Sequence, residues 1–189
     1  MSPFEFVTVL ISIILGLGIT QIMSGIADLI HQWEKVKLYW PHMLWVLLVF
    51  VLHVQEWWLI WELKEVTTWR LPFFLFEILY PINLFILARI LFPAQGNEET
   101  IDLKNFYFKS YRKFFLMFII LSSLSAIENI FIHEFGIEGW LVNALLLAVP
   151  LIVVLKKWEA EWLHQFLAIV LLAAMVVGIV LNIDEWLVS

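Results

Sequence analysis

The sequence predicts an all-α, polytopic integral membrane protein with six transmembrane helices and both termini outside the cytoplasm. Three observations carry this expectation. Of 189 residues, 63% are hydrophobic and 15% charged, with a mean hydropathy of +0.93; a soluble domain is about 45–50% apolar and about 25% charged. Apolar runs of about 20 residues, enough to cross a bilayer, recur six times between short polar breaks. Lysine and arginine gather in alternate breaks, the asymmetry that orients membrane proteins.

The first span lies near 4–31 and is long enough to tilt. It follows Met-Ser-Pro-Phe-Glu, which carries no basic residue, and it exceeds a signal peptide's apolar region. A retained helix is therefore expected. Inside it, Gly16 to Asp28 divides into two faces when projected at 100° per residue. Thr20, Gln21, Ser24, Gly25 and Asp28 form a small, polar face; Ile19, Ile22, Met23, Ile26 and Leu29 lie opposite. In lipid, small residues let backbones approach, and hydroxyls and amides bond across helices. The polar face is thus expected to meet protein and the isoleucine face to meet lipid. This span is also expected to be the helix the others pack around.

The second span runs near 40–61, after a break carrying Glu34, Lys35 and Lys37. The third runs near 71–92, after Glu62, Lys64, Glu65 and Arg70. Pro81 removes a backbone donor there and is expected to kink the helix and free a carbonyl. Pro93 to Ser110 is the longest break, and Asp102 onward reads as a helical lead-in to the fourth span near 111–132. The fifth span lies near 138–155 and the sixth near 160–183. The whole of 1–189 reads as one transmembrane domain.

The first, third and fifth breaks hold Lys35, Lys37, Lys104, Lys109, Arg112, Lys113, Lys156 and Lys157, with Arg89 at the end leading into the third. That is nine of eleven positive charges; only Lys64 and Arg70 lie on the other side. These three breaks are expected to face the cytoplasm. Trp33, Trp40, Trp158 and Trp162 mark that interface, and Trp57, Trp58, Trp61, Trp69, Trp140 and Trp186 the outer one. The basic stretch 93–113 suggests contact with anionic lipid or a protein partner. The net charge is −6, a total that matters less than where the positives lie, and nothing in the sequence suggests nucleic acid as a partner.

Ionisable residues inside lipid usually face a cavity or a partner. Glu56, Glu77 and Glu128 fall in the outer part of their spans. His53 sits one turn deeper than Glu56, at i and i+3 on one helix face. Ser122, Ser125, Glu128 and Asn129 form a polar stripe on the fourth span, and Asn83 lies near mid-membrane on the third. Together they predict an outward-open pocket between spans two, three and four. Three carboxylates in such a pocket cannot all stay charged without a cation, which suits a proton or cation pathway. At the inner end, Asp28 can pair with Arg89, and His164 shares a face with Asn182.

Two other chemistries compete. No cofactor is expected, but His53, Glu56, Glu77, Glu128 and His133 are the residues from which a metal site could be assembled. A carboxylate with His53 could also serve as acid and base in a membrane enzyme. The chain has no cysteine and therefore no thiolate chemistry. It also lacks Gly-x-Ser-x-Gly, His-Glu-x-x-His and a glycine-rich phosphate loop.

Leu15-Gly16-Leu17-Gly18-Ile19-Thr20, Tyr39-Trp40-Pro41-His42 and Glu56-Trp57-Trp58 together resemble a group of short, polytopic bacterial inner-membrane proteins of about this length. The resemblance implies the bacterial inner membrane and brings with it no activity and no site residue. The leading expectation is a small channel or transporter for protons or cations, assembled as a homo-oligomer in the bilayer. The alternative is a non-catalytic membrane module: a sensor, an assembly partner or a defence-type effector.

Overall fold

In the computed structural model, which describes residues 2–66, 68–94, 100–131 and 137–181, the chain is mostly helical. Helix α1 spans Pro3–His31, α2 Trp40–Leu59, α3 Leu71–Glu77, α4 Leu79–Ile90, α5 Leu103–Phe131, α6 Ile137–Lys156 and α7 Glu161–Leu181. Five stretches are long and apolar enough to cross a membrane: Pro3–His31, Trp40–Glu65, Leu71–Ile90, Leu103–Glu128 and Glu161–Val180. In the part of α6 whose side chains are described, Asn143–Lys156 is a shorter apolar helix.

The helix starts follow local chemistry. Ser2 caps α1: its Oγ accepts the Glu5 amide at 3.1 Å, and Glu5 Oε2 accepts the Ser2 amide at 3.0 Å. This capping box satisfies donors that a helix start leaves free. Pro3, Pro41 and Pro72 occupy the first turns of α1, α2 and α3, where the missing N–H costs nothing. Helix α6 ends with Lys157 at φ 50°. The Trp158 amide donates to the Val153 carbonyl and the Lys157 amide to the Val154 carbonyl, the bond pair of a Schellman turn.

The third span is interrupted at Ile78, between α3 and α4. Pro81 has no N–H and leaves the Glu77 carbonyl without its i+4 donor. Ile78 keeps φ −73° and ψ −12°, so the chain loses a bond without reversing. The fourth span and its expected lead-in are one continuous helix of 29 residues.

Helix α4 lies against α1, α2 and α5, while α2 also packs on α1 and α7, and α6 packs on α5. The centre is therefore α2 and α4, and the expectation that the others gather around the first span is corrected. Helix α1 buries Val7, Ile11, Leu15, Gly18, Ile22 and Gly25, spaced by three and four residues as on one seam. Ile22, expected on the lipid face, is fully buried. Thr20 and Ser24, expected at the seam, are exposed. Thr20 Oγ1 donates to the Gly16 carbonyl of its own helix at 2.8 Å, so its hydroxyl needs no neighbour. Gly25 is in the seam: a Cβ there would run into the Phe92 ring.

One end of the bundle collects the first, third and fifth breaks. Val36–Lys37 (β1) pairs in parallel with Ile101–Asp102 (β2). Lys104 on α5 pairs with Glu161 on α7 at 2.6 Å. His164 Nε2 donates to the Trp158 carbonyl at 2.8 Å, and its Nδ1 accepts from the Tyr107 hydroxyl at 2.9 Å. A carbonyl can only accept, so the ring's proton is on Nε2. Trp45 of α2 is fully buried edge-on against Phe114, Phe115 and Phe118 of α5, with centroids 5.1–5.8 Å apart. The opposite end holds the N-terminus, where Phe4 meets Trp61 at 6.3 Å.

Candidate functional site

Glu56 lies in the last turn of α2, Glu77 ends α3 and Glu128 lies in the last turn of α5. The packing of α4 on both α2 and α5 brings these ends together. The three carboxylates act electrostatically on one another: Glu128 on both Glu56 and Glu77, and Glu77 on Glu56. Tyr80 joins them from the first turn of α4, its phenol within the field of Glu56 and Glu128. Glu77 is 9% exposed, and its Oε1 is buried with no hydrogen-bond partner among the described residues. Glu56 and Glu128 are half-buried.

His53 lies one turn before Glu56 on α2. The ring is fully buried, and its Nδ1 donates to the Val49 carbonyl at 2.7 Å. Its Nε2 packs against α1 at Gly18, where a Cβ would collide with the imidazole. The absence of a side chain at Gly18 makes the slot the ring fills. His53, expected as the floor of the glutamate pocket, thus packs in the α1–α2 seam.

Asn83 is buried, and its amide donates to the Met117 carbonyl at 2.9 Å, locking α4 to α5. Ser122 reaches the Leu146 carbonyl of α6 at 3.5 Å. Ser125 is half-buried one turn before Glu128. The side chain of Asn129 and all of His133 and Asn182 lie outside the described residues. No three histidine, aspartate or glutamate side chains converge on a metal position among the described residues.

Tyr80 is a residue that helix projection of single spans does not single out; its relation to Glu56 and Glu128 arises from the packing of α4 on α2 and α5. In the basic stretch, Lys104 is held by Glu161, and 95–99 lie outside the described residues.

A carboxylate cluster with a phenol beside it, in a span broken by proline, can accept, hold and pass protons. Broken spans and buried carboxylates are features of membrane sites that handle ions. Comparison of the chain with protein-family models, with curated proteins and with solved structures finds no match in any of the three.

Proposed function

We propose that this chain is a small multi-pass membrane channel or transporter that moves protons through Glu56, Glu77 and Glu128, with Tyr80 as a further proton-bearing group. In this reading α6 completes six spans, both termini lie outside the cytoplasm, and the cluster faces outward. The observation that supports it is the gathering of three carboxylates from three helices at the bundle end away from the basic breaks. Mutual repulsion in a low dielectric disfavours three charges at once. A proton taken up at one carboxylate is handed to the next as the charge is redistributed.

The experiment is flux into proteoliposomes driven by a pH gradient, with Glu56→Gln, Glu77→Gln and Glu128→Gln beside the parent. At least one variant is expected to lose about tenfold or more of the proton flux, the loss of a single acid–base group being worth about 10²-fold where it is essential. Sodium or potassium flux in place of proton flux would turn the reading to a cation pathway. Wild-type rates in all three variants would remove its basis.

A second reading, a membrane module that assembles with itself, is favoured by one observation. Gly16, Thr20 and Ser24 are all exposed, on one stripe of α1 at four-residue spacing. Small residues at that spacing serve as close helix contacts between chains. Gly16→Leu and Thr20→Leu should then reduce the size of the detergent-solubilised particle. An unchanged size would leave the stripe to lipid.

A further inference from the structure

The third span divides into a clamped piece and a loose one. In α4, Leu84, Leu87 and Ala88 are fully buried, and Asn83 is bonded to α5. In α3, Leu71, Pro72 and Leu75 are exposed, Phe73, Phe74 and Phe76 are half-buried, and Glu77 is the one buried residue. Helix α3 packs chiefly on α4, the element that follows it. Its one buried side chain is a carboxyl whose Oε1 has no hydrogen-bond partner among the described residues. Segments with few buried apolar contacts are the ones that open most readily.

The joint between the two pieces is suited to bending. Ile78 stands outside both helices, and Pro81 offers no N–H to the Glu77 carbonyl; proline inside a helix is the common cause of a kink. What α3 carries beside Glu77 follows from helical spacing. Phe73 and Phe74 lie one turn before Glu77 on the same face, nearer the start of α3. The Trp69 ring lies against Phe73 with centroids 5.3 Å apart, and its Nε1 is buried. Aromatic rings thus continue the Glu77 face toward the bundle end that holds the N-terminus.

We infer that α3 is a hinged lid: when it is down, Trp69, Phe73 and Phe74 close the Glu77 carboxyl off from solution, and when it lifts about Ile78–Pro81, water reaches the carboxyl. The charge on Glu77 chooses between the two positions. Under a closed lid a charged Glu77 loses its water and faces Glu128 of α5, while Glu56 of α2 is in its own field; both effects disfavour the charge. Tyr80 of α4 stands in the field of Glu56 and Glu128. The lid therefore lies down over a neutral Glu77 and lifts when the proton leaves. This inference rests for its purpose on the proton pathway proposed above, in which it makes Glu77 the entry point. The open carboxylate takes a proton from solution, and closure presents the neutral acid to Glu56 and Glu128.

The test is a distance. The chain has no cysteine, so spin labels can be placed at Leu71→Cys, at the far end of α3, and at Ile120→Cys on α5, both exposed. Their separation is measured by pulsed EPR in detergent from about pH 4 to about pH 9, a range that spans ordinary and buried carboxyls. The 7 residues of α3 make a rod about 10 Å long, so a swing of about 20° moves Leu71 by about 4 Å. The parent is expected to show one distance in acid and another, shifted by up to that amount, in base. Glu77→Gln, neutral at every pH, should keep the acid distance throughout. Pro81→Ala returns a donor to the Glu77 carbonyl and should shrink the shift with Glu77 intact. A distance independent of pH in the parent, or the parent's shift in Glu77→Gln, would overturn the lid; an undiminished shift in Pro81→Ala would overturn the hinge. Proton flux separates the lid from the pathway. Flux lost in Glu77→Gln, with no pH-dependent distance in the parent, keeps the pathway and removes the lid. A pH-dependent distance, with parental flux in Glu77→Gln, keeps the lid and takes Glu77 out of the pathway.

Discussion

Gly18 and His53 decide how closely α1 and α2 approach. The imidazole is fixed from behind by its bond to Val49 and is fully buried, so it cannot move aside for a methyl group. Gly18→Ala is expected to cost about 1–3 kcal/mol, as overpacking does, and to lower Tm in detergent. Gly16→Ala, two residues away with nothing within 4 Å of its Cβ position, should leave Tm unchanged or raise it, since alanine is the better helix former. Equal melting of the two variants would mean that the slot at Gly18 does not hold the seam. This pair also shows where residue-level reading fails. The sequence offers Gly16, Gly18, Thr20, Ser24 and Gly25 as small residues, and projection groups them by polarity. Packing groups them by shape instead: Gly18 and Gly25 flank the buried Ile22, while Thr20 silences its own hydroxyl on Gly16.

Helices α5 and α7 are joined by polar contacts that no single helix projection reveals. Tyr107 donates to His164, and His164 donates to the turn that ends α6. Tyr107→Phe removes the donor and leaves the buried Nδ1 acceptor unpaired, which is expected to cost about 1–3 kcal/mol. His164→Phe removes acceptor and donor together and should leave the Trp158 carbonyl open as well. The measurement is Tm, together with hydrogen exchange of the amides around Lys157 and Trp158. Faster exchange there in Tyr107→Phe would tie the turn to α5; no change in either readout would reduce the bond to a passive contact. At this scale the sequence was informative about where elements end, because prolines, tryptophans and charge breaks act locally. It also located the break in the third span, since Pro81 acts on the carbonyl four residues before it. Which elements touch depends on side chains from two distant segments at once. Tyr107 and His164 are 57 residues apart, and nothing local to either announces the other.

The whole molecule has two unlike ends, and its orientation is the largest expectation it carries. The β1–β2 pairing holds the first and third breaks together, and the Tyr107–His164–Trp158 chain holds the start of α5 beside the end of α6. Helices α5 and α6 therefore run in opposite directions between the two ends. Nine positive charges sit at the end with these breaks, and the glutamate cluster sits at the other with Ser2. Charge bias is expected to place the basic end in the cytoplasm, so Ser2 should be reached from outside and Glu159 should not. The chain has no cysteine, so a single introduced thiol reports its own side without background. Ser2→Cys is expected to react with an impermeant thiol reagent on intact cells, and Glu159→Cys only after the membrane is opened. Both positions are exposed. Labelling of Glu159→Cys alone on intact cells would invert the molecule and turn the glutamates toward the cytoplasm. Labelling of both would mean an even number of crossings between them, with α6 failing to complete the alternation. An outward Ser2 is what presents the carboxylate cluster, at the same end, to the outer solution, so Ser2→Cys must label on intact cells for Glu56, Glu77 and Glu128 to draw protons from outside the cell.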